Sequence, residues 1–319
     1  MDLAYIKEKL IASKYYEAKD NLYLLSEPNK NSIREVENFG IQWNSFKKTQ
    51  FDSFTNQNLT ELRLKECSGW DLSKLKGRLV LEMGSGAGRF TEIFLKYGAI
   101  VVSVELSTAI FANYENNQNK NLILVRDSIF NFKCEEITFD YVFCYGVAQH
   151  VENPIDIYKT CVNHLKLKTG LLSIDHYWKR LGEKIPCFLY YSKYLWRPIT
   201  KRLNPSLLLK LIKLIYPIIL PTDILLKKIF PKIIYKLIKI IIPIPIANYF
   251  KEKGVNQNYK NLLNWCIMDT FDMLGAKYDE PWTYKKLFKI AKGLNIDSFE
   301  VKKETNNANG LVLNGKGRK

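Results

Sequence analysis

The chain has 319 residues, 47% hydrophobic and 25% charged, enough for a sizeable core in one large domain with an insertion or in two small domains. Its six cysteines (Cys67, Cys134, Cys144, Cys161, Cys187 and Cys266) show no CxxC and no paired-histidine spacing, which argues against a zinc site or disulfide framework and fits a reducing cytosol. The net charge of +16 invites a polyanion, nucleic acid or membrane, but the excess is mostly lysine in a Lys-, Asn- and Ile-rich chain, so its distribution matters more than its total.

The opening "MDLAYIKEKLIASKYYEAKD" mixes charges with apolar residues and lacks the apolar run of a signal peptide. Residues 1–75 read as a polar, helical extension punctuated by aromatics, as in "NFGIQWNSF". From Leu79 short apolar runs alternate with helical stretches, the pattern of a parallel α/β fold. "RLVLEM" predicts a strand, "GRFTEIFLKYG" a helix, "AIVVSVEL" a strand, "STAIFANYENNQ" a helix, and "LILVRD" and "FDYVFCYG" two more strands. The helical "PIDIYKTCVNHLK" and the strand "GLLSIDHY" follow. Near the end, "LFKIAKGL" predicts a helix, and "SFEVKKE" with "GLVLNGK" a terminal antiparallel pair. The expected fold is α/β: a doubly wound sheet of about seven strands, with ligands at the strands' carboxyl ends.

The glycine-rich turn in "VLEMGSGAGRF" brings backbone amides and a helix N-terminus close to a polar ligand. A dinucleotide fingerprint would have its third glycine at position 89, where Arg89 stands. Gly84, Gly86 and Gly88 make GxGxG instead, and Glu82 at the strand tip suits a cationic amino-acid group better than a pyrophosphate. Glu105, at the end of the second strand, matches a ribose diol, a feature shared with NAD-binding folds. Asp127 ends the third strand where a carboxylate accepts an exocyclic adenine amine, and Tyr145, Gly146 and Val147 stand at the fourth tip over the ligand. Asp140, at the far end of that strand, reads as structural.

With "VLEMGSGAGRF", "VVSVELS", "VRDS", "FDYVFCYGVAQHVENP" and "LKLKTGLLSIDHYW" in order, the chain resembles the class I S-adenosylmethionine-dependent methyltransferases over about residues 75–180 and in its terminal hairpin. The resemblance implies a Rossmann-like domain that binds S-adenosyl-L-methionine, with Gly84, Gly86 and Gly88 at its methionine side. Glu105 then takes the ribose, and Asp127 and Ser128 lie at the adenine. Ser85, Arg89 and Leu106 complete the implied cofactor set. The family's first motif often has Asp where Glu82 stands, and Cys or Thr where Ser85 stands. The flanks resemble a narrower bacterial subset, through Phe39, Gly40, Gln42 and Trp43 before the core. Trp265, Asp269, Thr270, Phe271, Asp272, Leu274, Tyr278, Pro281 and Thr283 match before the last helix.

A hydroxyl acceptor benefits from a general base, and histidine is the natural candidate near neutral pH. His150 follows the fourth strand tip and His176 the fifth, so either is a candidate, while each also reads as a packing residue. Gln149, Tyr177, Trp265, Asp269 and Tyr278 are candidates for the acceptor pocket. Methyl transfer to a small-molecule or lipid-linked acceptor at oxygen is the leading expectation, with N- or C-methylation, RNA methylation or non-catalytic cofactor binding as alternatives. The fourth tip lacks a [DNS]PP[YFW] turn and a Pro-Cys pair, and no Arg/aromatic tract suggests base stacking, so nucleic acid is disfavoured.

Residues 181–283 interrupt the α/β pattern between the methyltransferase segments 76–180 and 284–319. From Trp196 to Phe250 there are ten Lys or Arg and one acid, Asp223, but no uncharged apolar run of the ~18 residues a membrane span needs. Lys228, Lys232, Lys236 and Lys239 recur at helical spacing, with Pro231 fitting only a first turn. This predicts a substrate lid, a helix in the interface of an anionic membrane over residues 205–247, or both. The expected location is cytoplasmic, with the membrane option placing it on the inner face.

Overall fold

A computed structural model of the chain describes residues 3–25, 33–134, 136–180, 182, 184–187, 192–241, 259–304 and 310–318. The first helix, α1 (Leu3–Ala12), leads into a hairpin of β1 (Tyr15–Lys19) and β2 (Leu22–Leu25). Helices α2 (Ile33–Ser45), α3 (Asp52–Thr55) and α4 (Leu59–Ser68) follow. The α/β core runs β3 (Leu79–Met83), α5 (Arg89–Lys96), β4 (Ile100–Val104), α6 (Ala109–Asn116), β5 (Leu122–Arg126), β6 (Tyr141–Cys144), α7 (Pro154–Asn163) and β7 (Leu171–Tyr177). Next come α8 (Lys193–Thr200), α9 (Pro205–Ile229), α10 (Lys232–Ile241) and α11 (Tyr259–Gly275). The chain closes with α12 (Tyr284–Lys292), β8 (Ile296–Lys303) and β9 (Gly310–Gly317).

The strands form one sheet in the order β1-β2-β5-β4-β3-β6-β7-β9-β8. The ladder from β2 to β7 is parallel, and antiparallel pairs flank it at both ends. All five residues of β3 are buried, as expected of a strand covered on both faces. The order reverses at β3, which opens a crevice beyond the carboxyl ends of β3, β4 and β6.

Two features differ from the sequence expectation. The 1–75 region is not purely helical: Leu22, Tyr23 and Leu24 pair with Leu124, Val125 and Arg126, so the hairpin raises the sheet to nine strands. Tyr15 and Tyr23 bury their rings there, and that burial outweighs the polar composition. The lysine stripe is also not one helix. Phe230 and Pro231 separate α9 from α10, which leaves Lys228 on the first and Lys232, Lys236 and Lys239 on the second. Pro231 lacks the N–H an interior turn needs, and the helix restarts just after it. Residues 242–247 of the membrane stretch lie outside the described residues.

Helices α9 and α11 pack together with the end of α2. Phe46, just after α2, joins Leu208, Leu209, Ile212, Tyr216 and Leu220 of α9 and Cys266, Ile267, Met268, Phe271 and Leu274 of α11 in one apolar cluster, a shared cap. Helix α9 starts cleanly because the Asn204 side chain accepts from the N–H groups of Ser206 and Leu207, with Pro205 in the first turn.

Candidate functional site

The turn after β3 is shaped by its glycines. Gly84, Gly86 and Gly88 all have positive φ, at 80°, 55° and 90°. A Cβ on Gly86 would lie 3.1 Å from the indole nitrogen of Trp43, so the roof helix α2 approaches the loop to within the space only glycine leaves. Gly40, one turn before Asn44 on α2, lies against Thr108 in the same manner. The Asn44 amide then reaches the Thr108 carbonyl and hydroxyl at 3.2 and 3.0 Å. Thus the aromatic motif before the core seats the roof on the loops after β3 and β4.

At the β4 tip, Glu105 accepts from the Gly86 N–H (3.0 Å) and from the Ser107 N–H and hydroxyl (2.8 and 2.7 Å). A carboxylate has about four acceptor sites, so these three donors leave about one, on Oε2, for a ribose hydroxyl. Leu106 follows and gives its carbonyl to the Arg126 side chain at 3.4 Å. At the β5 tip, Asp127 accepts from the Tyr15 hydroxyl and the Ser128 N–H, each at 2.7 Å. Burial pushes its carboxyl up despite those donors. Tyr15 comes from the hairpin, so an element that reads as a helical appendage contributes to this tip. Ser85 takes a bond from the Asn113 amide, and Arg89 reaches Gln50 at 2.7 Å.

Several residues sit elsewhere than their sequence positions suggest. Glu82 lies beneath the loop, where its carboxylate accepts the Thr91 and Ser103 hydroxyls at 2.5 and 2.7 Å. Burial pushes it up to about 7, against the pull of those hydroxyls. It braces the loop from below and does not present itself to an ammonium. Tyr145 turns its ring into the core, stacked on Phe143 with centroids 4.2 Å apart. Only Gly146 and Val147 represent that tip, Val147 touching the space above Gly84 and the Gly146 N–H bonding Asp175 at 2.6 Å. His176 is fully buried, with Nδ1 on the Tyr158 hydroxyl, Nε2 on the Glu280 carbonyl and its ring stacked on Trp282. Burial lowers it to about 3, so a ring engaged at both nitrogens packs the core and takes no substrate proton. Asp140 supports the backbone of Leu79 at the far end, as expected.

His150 is placed differently. Its Nδ1 lies 3.0 Å from the Tyr278 carbonyl oxygen, which only accepts, so Nδ1 carries the proton and Nε2 the lone pair of the neutral ring. Phe39 and Tyr177 meet its ring edge-on at 5.3 and 5.4 Å. Tyr177 donates to Asp272 at 3.3 Å, and Trp265 to Asp269 at 3.0 Å. Burial first, and the Asp272 charge second, push Asp269 up to about 7. Behind His150, burial would raise Asp279, but Lys193 and Arg197 outweigh it and hold that carboxyl below the usual range. A cleft of about 380 Å³ opens there between Glu152 and Lys201, floored by Tyr278 and Asp279.

Sequence reasoning named Gln42 in the flanking motif and Gln149 as a pocket candidate, but missed Asn38. Asn38, Gln42 and Gln149 are buried, yet both amide atoms of Asn38 and Gln149 and the Gln42 oxygen have no hydrogen-bond partner. Leaving such an atom unpaired costs roughly 1–3 kcal/mol. Asn38 and Gln42 share one face of α2, and Phe39 beside Asn38 touches His150 beside Gln149. The signal was the pair of amides at helical spacing among aromatics. Positive-φ glycines, a carboxylate at the adjoining tip and unpartnered amides on the roof helix and beside His150 fit a polar nucleoside with an amino-acid tail.

Residues 81–173 match the family model described as a methyltransferase domain. Among curated proteins, the ubiquinone biosynthesis O-methyltransferase of Coxiella burnetii is 29% identical over 100 residues, covering 29% of this chain and 41% of that protein. The protein of the same name from Glaesserella parasuis is 30% identical over 155 residues, covering 46% of this chain and 65% of that protein. The match thus spans about two fifths of the first relative's length and just under two thirds of the second's. The crystal structure of human N-acetylserotonin methyltransferase in complex with SAM superposes loosely, with TM-score 0.46 and 10% identity over 99% of this chain and 66% of that one. Residues 81–173 are thus a methyltransferase domain of the class I S-adenosylmethionine-dependent kind. S-adenosyl-L-methionine is the cofactor of that domain.

Proposed function

We propose that this protein transfers a methyl group to an oxygen of a small-molecule or lipid-linked acceptor, and that His150 takes the acceptor's proton. The observation that carries the reading is the His150 tautomer: the Tyr278 carbonyl holds the proton on Nδ1, so the lone pair lies on Nε2, which supports a role for it as the base. Bound S-adenosylmethionine supplies an electrophilic methyl on a sulfonium. The chain's own residues hold and align. Gly84, Gly86 and Gly88 would cradle the amino-acid end, Glu105 would accept a ribose hydroxyl, and Asp127 with Ser128 would border the adenine. The unpartnered amides of Asn38, Gln42 and Gln149 support a polar group lying between roof and sheet. Tyr177, Trp265, Asp269 and Tyr278 would line the acceptor side, and α2 with α11 would keep bulk water out. Alignment of this kind supplies much of the acceleration in a displacement reaction.

Oxygen is favoured over nitrogen or carbon because a hydroxyl must lose its proton and a histidine is poised to take it. The two named relatives are O-methyltransferases by name, which agrees with this choice. The test is to feed methyl-labelled methionine to wild-type and deletion cells and compare extracts. A labelled O-methyl product absent from the deletion supports the reading; identical labelled pools overturn it.

A further inference from the structure

Helix α9 is apolar on two opposite faces. One face, including Leu208, Ile212, Tyr216 and Leu220, is buried in the cluster shared with α11. The other points outward: Leu214 is 73% exposed and Ile218 71%, with Leu207, Leu211 and Leu225 continuing the stripe. Ile233 on α10 is 75% exposed. Fourteen of the 24 large hydrophobic side chains exposed among the described residues fall between Leu195 and Leu237, so the apolar surface is concentrated and not scattered. Patches of that kind mark an interaction surface.

Charge selects the partner. Between Lys201 and Lys232 seven Lys or Arg side chains are exposed, and the one acid, Asp223, is buried and accepts from the Tyr235 hydroxyl. A second copy of the chain, docked face to face about a two-fold axis, would bring this positive surface against itself with no carboxylate to pair it. An anionic bilayer meets both halves of the surface, with acyl chains for the aliphatic stripe and head groups for the lysines. None of the described helices is long and apolar enough to cross a membrane, and in α9 lysines at 210, 213, 227 and 228 interrupt the apolar residues. A bilayer could therefore receive this helix only in its interface plane.

We propose that α8, α9 and the start of α10 dock this protein on an anionic lipid bilayer, with Leu214 and Ile218 inserted among the acyl chains and Lys210, Lys213, Lys227 and Lys228 on the head groups. The buried face of α9 packs on α11, which carries Trp265, Asp269 and Asp272, so the docked surface lies one helix away from the acceptor side of the site. The docking does not depend on methyl transfer; its use in receiving a lipid-linked acceptor rests on that reading.

The test uses the full chain and sedimentation with vesicles, either phosphatidylcholine alone or mixed with phosphatidylglycerol. Binding to the mixed vesicles that weakens as salt rises is expected, because exposed charges are screened beyond about 10 Å at 0.1 M salt. Two variants, L214S with I218S, and K210Q with K213Q, K227Q and K228Q, should each lower binding about tenfold or more. Both should largely keep the melting temperature and the affinity for S-adenosylmethionine, since their side chains are exposed and none belongs to the glycine loop. No vesicle binding at any salt overturns the proposal, as does binding that neither variant changes, or concentration-dependent dimerisation without vesicle binding. Vesicle binding without methyl transfer to any acceptor would leave docking standing and sink the methyl-transfer reading instead.

Discussion

The imidazole of His150 is oriented by the backbone carbonyl of Tyr278, 3.0 Å from Nδ1, across 128 residues of sequence. A carbonyl cannot donate, so the contact determines which nitrogen holds the lone pair. His150→Ala should lower turnover about 100-fold while cofactor affinity holds. His150→Gln should not rescue the rate, because an amide bonds but does not accept a proton at neutral pH. Steady-state rates with calorimetry check this; normal turnover in both variants would remove His150 from the chemistry.

Glu105 ties the glycine loop to the β4 tip through Gly86 and Ser107. Glu105→Ala should weaken S-adenosylmethionine binding by roughly 1.5–3 kcal/mol, since charge-assisted acceptors are lost. Ser107→Ala, which removes one of the three contacts, should cost less. Isothermal titration of both variants gives the order, and equal affinity in Glu105→Ala and the parent chain would disprove the ribose assignment.

Gln149 separates binding from stability. Its buried amide has no hydrogen-bond partner in the fold. Replacing it by the similarly sized Met should therefore stabilise the free protein, by about 1–3 kcal/mol for a relieved polar atom. The same change should weaken binding of the cofactor or acceptor. A stability gain with unchanged binding would make Gln149 a packing residue only.

Glu82 gives a pH signature. Its carboxyl is raised from the ordinary value of 4.5 to about 7 in the folded protein, chiefly by burial. The folded state thus holds a proton that the unfolded chain releases, so this group's contribution is full below about pH 4.5 and is lost as pH rises towards 7. Glu82→Gln, which stays neutral, should gain stability relative to the parent over that window, on the order of 2–3 kcal/mol by pH 7 to 8. Paired thermal melts at pH 4.5 and 7.5 measure the difference; a constant offset would mean Glu82 is ionised in the fold.

The α/β core was readable because strands covered on both faces must be continuous apolar runs, as "AIVVSV" and "RLVLEM" are. The hairpin was not, because β2 is only the four apolar residues Leu22–Leu25 set among charged and polar neighbours, and it becomes a strand by pairing with β5, roughly a hundred residues away. The two histidines illustrate the same limit. Both follow strand tips, and only packing against distant Trp282 and Glu280 makes His176 a core residue while Tyr278 orients His150. Gln42 stood inside the quoted aromatic motif, but the lack of a partner for its oxygen is a property of the folded surroundings alone.

Methyl transfer to an acceptor oxygen can be measured directly. Purified protein should be incubated with S-adenosylmethionine labelled in its methyl group and an organic extract of the deletion strain. We predict one labelled product carrying an O-methyl group, formed with an equal amount of S-adenosylhomocysteine and lost in His150→Ala. Tight binding of the labelled cofactor with no S-adenosylhomocysteine released in any extract would contradict the account.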